Sequence, residues 1–510
     1  MNRGPGMDRR HLLQALSVLG AGIGASAALP AHARPAQAAE FAGRVASQPL
    51  LTPFKGVNDV TGDCVTRQLP TRGRWPAALA GRFYRNGPAL YERGGERYQH
   101  WFDGDGMVQQ FTLAGGQISH RGRLVRTTKL AAEQQAGRFL FDAFGTSMGQ
   151  RIPISGPDSL NPANTNAVEH AGRVLAMWEG GSAYSLSPTD LATQGPVVWR
   201  GDLRGVPFSA HPKIDATGHL WNIGSTGRHL VVWHIDPQGR LVDAQRGESP
   251  FPGGMVHDMA VTERHLVLPL PPVKLHFDVA ADGPRQFALE AGQPLRILVI
   301  DKADIQKRQI FELPPQMVFH VGNAHETRDG QIVLSFIGAP DASFLNTGAV
   351  ALMQGVPGMP ATPSTQQVTL NLATGRAQRV GFDDDVEFPR IDPRRIGLPA
   401  RWLLTGGGWN NSLGRKYALL HGVQLRDMQG GRLRRYDYGE HIVVEEHILV
   451  PKPGQTGELD AWLLGTTFDA RRQATVLNLL DAAHIEDGPI AQAQLPYVLP
   501  LGFHGNFTAA

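Results

Sequence analysis

From about residue 73 onward the chain alternates short apolar runs with turn chemistry. HLWNIG, HLVVWHI, HLVLPL, LRILVID, QIVLSFIG, VTLNL, AWLLGTTF and ATVLNLL are rich in β-branched and aromatic residues, the composition of strands that pack in a sheet. Between such runs fall Ala114-Gly115-Gly116-Gln117, Asp215-Ala216-Thr217-Gly218, Asp236-Pro237-Gln238-Gly239, Arg328-Asp329-Gly330 and Ala373-Thr374-Gly375, where glycine supplies the backbone freedom a tight turn needs. The pattern predicts hairpins throughout. Short strands at regular spacing, without the alternating helices of a parallel sheet, predict an all-β chain built as a propeller or a double sandwich. No tight internal repeat decides between the two.

Three stretches do not read as blade strands. Residues 40–73, rich in Pro, Thr and Gly, predict a loop-like lead. Residues 136–156 open on a helix-compatible apolar patch, and residues 344–360 are long, apolar and turn-rich. Segments of that length either cap the core or carry function. Residues 139–144 and 350–360 are expected to form an exposed apolar patch in peripheral contact with a membrane, because contiguous exposed apolar surface marks an interaction site.

Composition and charge narrow the class. The 60 glycines and 37 prolines in 510 residues suit many strands and turns. Of the formal charge of +3, the first 38 residues account for all, with four arginines against one acid. The remainder is balanced and carries no global footprint for nucleic acid. Cys64 is the only cysteine, which excludes an intrachain disulfide and a thiolate cluster. The N-terminus, with Arg9-Arg10-His11-Leu12-Leu13 and then LSVLGAGIGASAAL, resembles a bacterial twin-arginine signal. It predicts a signal peptide over 1–38, engagement of the export machinery and a periplasmic address. A lead segment (39–80) and one domain (81–510) follow.

Among 19 histidines, four keep unusual company. His211 lies in FSAHPK, His257 in GGMVHDMAVT, His320 in MVFHVGNAHE and His504 in LPLGFHG, each in an apolar segment where a core would ordinarily place Val or Leu. Four imidazoles without thiolate or carboxylate suit Fe, Zn, Cu or Ni, so donor chemistry alone does not name the metal. In this order the four blocks resemble the iron-ligand motifs of the carotenoid cleavage oxygenases. A fifth block, GRFYRNGPALYERGGERYQHWFDGDGMVQQF (residues 81–111), resembles that family's opening signature. The matches span about 81–507. They depart at FHVGNAHE, where the family more often has an aromatic at His325 and a bulkier residue at Gly322.

The resemblance implies a seven-bladed β-propeller with a dome of loops and helices over an axial metal. It implies one Fe(2+) per chain held by His211, His257, His320 and His504, with O2 as co-substrate. Glu179, Glu387 and Glu446 stand where the family places glutamates that orient the ligand imidazoles, with Glu445 an alternative to the last. The implied reaction is oxidative cleavage of a conjugated C=C bond of a carotenoid or apocarotenoid, a small lipophilic substrate, into two carbonyl products. A related branch cleaves stilbenoids, with a Tyr and a Lys polarising the substrate phenol. Tyr98 and Lys129 are the candidates for that pair. A non-catalytic propeller that binds a lipophilic ligand is the remaining alternative. FDGDGM (residues 102–107) has aspartates at alternate positions but lacks the closing Glu of a calcium loop, and is expected to make a tight strand-to-strand turn.

Overall fold

The apolar runs pair, in the computed structural model, into antiparallel sheets arranged as a seven-bladed β-propeller; the structure describes residues 34–149, 152–276, 286–408 and 416–510. Blades are numbered here in chain order. Blade 1 runs, from its outer edge inward, through Cys64–Thr66, Gln117–Leu124, Asp105–Ala114, Gly81–Leu90 and His504–Ala509. The innermost strands of blades 2 to 7 are Asn166–His170, Lys213–Ile214, Ala260–Val261, Met317–Glu326, Val386–Arg390 and Ile442–Pro451.

Both ends of the chain close the ring. The C-terminal strand completes blade 1 from the inside, with Gly81 opposite Ala509 and Asn86 opposite His504. Near the other end, Thr71–Gly73 adds an outer strand to blade 7 beside Pro489–Gln494. A chain with no disulfide is thus held shut by ladders joining residues more than 400 positions apart in sequence. The turn chemistry acts as expected: Ala114 pairs with Gln117, and Gly115 and Gly116 between them adopt φ of 56° and 79°, as a two-residue hairpin turn demands.

The strand runs are apolar on both faces because each sheet packs on two neighbours. Trp221 meets Leu298 between blades 3 and 4, and Val299 meets Leu334 between blades 4 and 5. Leu404 meets Leu463 between blades 6 and 7, and Leu477 meets Phe83 between blades 7 and 1. Removing these surfaces from water is the main favourable term holding the ring together.

Over one end lie the helices Arg34–Ala46 and Thr128–Ala136 and the helical stretch from Phe344 to Gln354. The first corrects the expected loop-like lead and runs across its 38/39 boundary. Phe41 and Val45, one helical turn apart, are both buried against Leu352 and Met353, and Arg44 Nη1 donates to the Gln354 carbonyl at 2.7 Å. The expected membrane patch is corrected in part. Phe139, Phe141 and Leu352 are 0%, 4% and 0% exposed, so these positions cap the core, whereas Met359 is 44% exposed. Residues 1–33, which carry most of the expected signal peptide, lie outside the described residues.

FDGDGM forms neither a calcium loop nor a turn between paired strands. Trp101–Asp103 is one 3-10 turn that feeds the strand beginning at Asp105. The Asp103 carboxylate accepts from Gly145 N at 2.8 Å and Thr146 Oγ1 at 2.5 Å, and Asp105 pairs with Lys129.

Candidate metal centre

Each of the seven blades contributes one side chain to a cluster on the propeller axis. Blades 3 and 4 supply His211 and His257 from the residues just before their innermost strands, and blade 5 supplies His320 from within its own. His504 opens the innermost strand of blade 1. Blades 2, 6 and 7 supply Glu179, Glu387 and Glu446.

Local irregularities in the strands aim these groups. The ladder of Met317–Glu326 slips between Val318 and Val321, which frees Phe319 and His320 from regular alternation. Val386–Arg390 slips after Glu387, and Ile442–Pro451 slips between Val444 and His447, around Glu446. Such bulges re-aim side chains. Phe388 in the second bulge holds φ of 57°, a left-handed conformation costing about 1–2 kcal/mol for a residue with a Cβ. It places the Phe388 ring against the His320 imidazole, centroids 5.4 Å apart.

The four imidazoles are brought together and three are backed by carboxylates. His257 Nδ1 lies 2.7 Å from Glu179 Oε2, His320 Nδ1 2.6 Å from Glu387 Oε2, and His504 Nδ1 3.0 Å from Glu446 Oε1. Glu446 also accepts from Gly505 N at 2.7 Å. Glu445 turns away to Arg85 and Gly502 N, so it does not share the role. Among the described residues no carboxylate is at hydrogen-bond distance from His211: Asp258 Oδ2 is 3.9 Å from its Nδ1. Lys213 and Val321 N hold Asp258 in place.

With the Nδ1–H of His257, His320 and His504 each donated to a glutamate, the opposite nitrogens of these three rings present bare lone pairs. Yet His211 Nε2 and His257 Nε2 are 3.1 Å apart, and His257 Nε2 and His320 Nε2 3.4 Å. One ligand nitrogen from each of the four rings falls within 4.8 Å of all the others. Lone pairs this close repel unless a cation lies among them. Nitrogens about 2.1 Å from one ion stand roughly 3.0–3.4 Å apart, so the residues fit a metal.

Burial, and then the neighbouring imidazoles, push His211 well below the usual histidine range. Burial brings His504 down to about 4. Both shifts favour the neutral imidazole, the form a metal ligand requires. Burial also opposes charge on His320, but Glu387 outweighs it and raises that ring above its ordinary value.

Glu179→Gln, Glu387→Gln and Glu446→Gln are each expected to lower metal affinity by ~10 to 100-fold, because the amide keeps the shape and loses the charge that raises ligand basicity. Dialysis against a graded chelator, followed by metal analysis, measures it.

Beside the imidazoles opens a cavity that is continuous with solvent. Its walls include Trp101, Phe102, Phe144, Phe319, Phe344 and Phe503. Phe102 packs edge-on to Phe503 at 5.0 Å and to Phe319 at 6.2 Å. Sequence reasoning missed this aromatic wall. Its available signal was the Phe immediately before His320 and before His504.

Tyr98 and Lys129 are also brought together, but neither lines the cavity. Lys129 Nζ donates to Tyr98 OH at 3.0 Å, Asp105 Oδ1 at 2.8 Å and Glu133 Oε2 at 2.8 Å. An ammonium has three protons, so none is left to polarise a substrate phenol. The Tyr98 ring packs on Phe139 at 4.0 Å. As a substrate-binding pair the two are corrected to a buried charged node beneath the dome.

Comparisons with known proteins agree with this geometry. The family described as retinal pigment epithelial membrane protein matches residues 58–509. An apocarotenoid-15,15'-oxygenase of Synechocystis is 32% identical over 471 residues, covering 85% of this chain and 91% of the relative. Lignostilbene-alpha,beta-dioxygenase isozyme III of Sphingomonas paucimobilis is 27% identical over 483 residues, covering 88% and 95%. The solved structure of a glutamate-to-glutamine mutant of Synechocystis apocarotenoid oxygenase superposes with a TM-score of 0.80 at 26% identity, covering 91% of this chain and 99% of that one. A cobalt-substituted form of that enzyme superposes with a TM-score of 0.78. Seven blades, four converging imidazoles and these matches along nearly the whole length lead to one assignment: the chain belongs to the retinal pigment epithelial membrane protein family of carotenoid and stilbene cleavage oxygenases.

Proposed function

We propose that this chain is a non-haem Fe(2+)-dependent dioxygenase that uses O2 to cleave a conjugated C=C bond of a carotenoid or apocarotenoid into two carbonyl products. The observation that carries the reading is the set of four converging imidazoles, three backed by glutamates, beside an aromatic cavity. His211, His257, His320 and His504 would hold one ion per chain. Zinc fits imidazole equally well but has no redox chemistry, which an oxygenase requires. When bound, iron supplies the activation of O2 that closed-shell organic groups lack.

The chain's own residues bind and orient. Phe102, Phe319, Phe344 and Phe503 offer faces and edges to a planar polyene and exclude water from the reacting bond. Glu179, Glu387 and Glu446 hold Nδ1 protons so that the opposite nitrogens stay directed at the axis.

A carotenoid-type substrate is favoured over a stilbenoid by the full commitment of Lys129 and by the apocarotenoid-cleaving relative. The iron-loaded protein is expected to cleave an apocarotenal with a higher kcat/KM than a 4-hydroxystilbene. The reverse order would support the stilbenoid reading. Tight binding of either compound without turnover would support a non-catalytic binder.

Export to a bacterial periplasm by the twin-arginine route belongs to the same proposal, supported by Arg9-Arg10-His11-Leu12-Leu13. An all-imidazole site takes Cu(II) or Zn(II) more tightly than Fe(II), so folding around iron before export protects the choice of metal. Arg9→Lys combined with Arg10→Lys is expected to leave active, iron-loaded protein in the cytoplasm. Inactive or iron-free protein in the cytoplasm would contradict it.

A further inference from the structure

Five carboxylates line the cavity: Glu179, Asp341, Asp385, Glu387 and Glu445. Four are committed. Glu179 and Glu387 hold imidazoles, Glu445 pairs with Arg85, and Asp341 accepts from Ser343 N at 2.8 Å. Asp385 differs: among the described residues no hydrogen bond or ion pair reaches its carboxylate.

Its placement is set by the backbone. The Asp385 carbonyl accepts from Gly408 N at 2.9 Å, and the innermost strand of blade 6 begins at the next residue. Asp385 and Glu387, two residues apart in sequence, both line the cavity. Asp385 thus lies on the blade 6 side of the cavity, two residues before Glu387 in sequence.

Its neighbour Asp384 is paired with Arg426. Arg426 donates to it through Nε at 2.9 Å and Nη2 at 2.6 Å, and Thr365 N at 2.8 Å. Burial, and then the fixed charge of Asp384, push Asp385 up to about 6. Apolar Pro363, Ala418 and Leu420 also line the cavity wall, where the part-buried Asp385 carboxylate is open to a partner from the cavity. Among the described residues none supplies one, and a ligand can.

We propose that Asp385 is the specificity-determining residue of the cavity, accepting a hydrogen bond from a hydroxyl on the substrate and so selecting hydroxylated apocarotenoids over their hydrocarbon-ended counterparts. The inference rests on the reading of this cavity as the polyene site. A hydroxyl is the matching group because it donates to the carboxylate and also accepts from the carboxylic acid, so it is bound in both protonation states.

The test compares two apocarotenals of equal conjugated length, one bearing a ring hydroxyl and one without it, on the iron-loaded full chain and on Asp385→Leu and Asp385→Asn. The wild-type chain is expected to show a KM about 10-fold lower for the hydroxylated compound, the usual size of one hydrogen bond to a charged group. In Asp385→Leu that ratio collapses toward one. In Asp385→Asn it persists in part, because the amide oxygen still accepts. Iron content per chain, measured on all three proteins, separates a binding effect from damage to the metal site. A ratio that is the same in all three proteins, or that is already one in the wild type, overturns the inference while leaving the polyene reading intact. Cleavage of neither compound by the iron-loaded wild type overturns both.

Discussion

Alanine at any one of His211, His257, His320 or His504 is expected to remove stoichiometric metal from the protein and abolish double-bond cleavage. Four imidazole nitrogens would share the charge of one ion, and an ion among them would relieve their close approach. Truncating one ring removes a ligand, and at His257, His320 or His504 it also leaves a glutamate without its partner. The loss should exceed the ~10 to 100-fold expected of the glutamate variants, which leave all four ligands in place. His219, His234 and His484 are the controls. His219 and His234 contact each other at 2.8 Å, with His234 stacked on Trp221, and His484 is largely exposed. Alanine there should leave metal content and turnover unchanged. Metal per chain and turnover, measured together on the seven variants, decide it. An essential control beside a dispensable ligand would contradict the assignment.

Lys129→Ala is expected to cost ~3–5 kcal/mol of stability, the usual consequence of deleting one partner from a buried charged group. The variant would leave the Asp105 and Glu133 carboxylates buried without the ammonium that bridges them. Burial by itself would lower the lysine pKa, but Asp105, Tyr98 and Glu133 hold it well above the ordinary value. The sign follows: a folded-state pKa above that of the unfolded chain means the stabilisation is complete at neutral pH and is lost only in strong alkali. Denaturant midpoints at pH 7 measure the effect. A variant of unchanged stability that has lost turnover of a hydroxystilbene would instead return Lys129 to the substrate.

The propeller strands were readable because their signal is local. A run such as HLVVWHI has one good solution, a strand buried on both faces, and each turn glycine falls where backbone freedom is required. The four histidine blocks were readable for a related reason, since an imidazole in an apolar strand needs a purpose. Orientation was not readable. Apolar character in residues 139–144 and 350–360 does not say whether the side chains face solvent or core, and the dome turns Phe139, Phe141 and Leu352 inward while Met359 stays exposed. Tyr98 and Lys129 do meet, but local sequence does not reveal that Asp105 and Glu133 close around them. The bulges at His320, Glu387 and Glu446 are similarly hidden, because a register slip depends on the partner strand. The N-terminal helix was overlooked although Phe41 and Val45 carry helical spacing. Its partners, Leu352 and Met353, lie some 300 residues away.

The central claim is that one iron ion held by four imidazoles performs the cleavage. Its most direct test is a titration of chelator-stripped wild-type protein with Fe(2+) in the absence of oxygen, followed by aerated turnover of an apocarotenal. Activity is predicted to be absent in the stripped protein, to rise linearly with added iron and to level off at one equivalent per chain. Cleavage by the iron-free protein, or saturation at a different stoichiometry, would contradict the account.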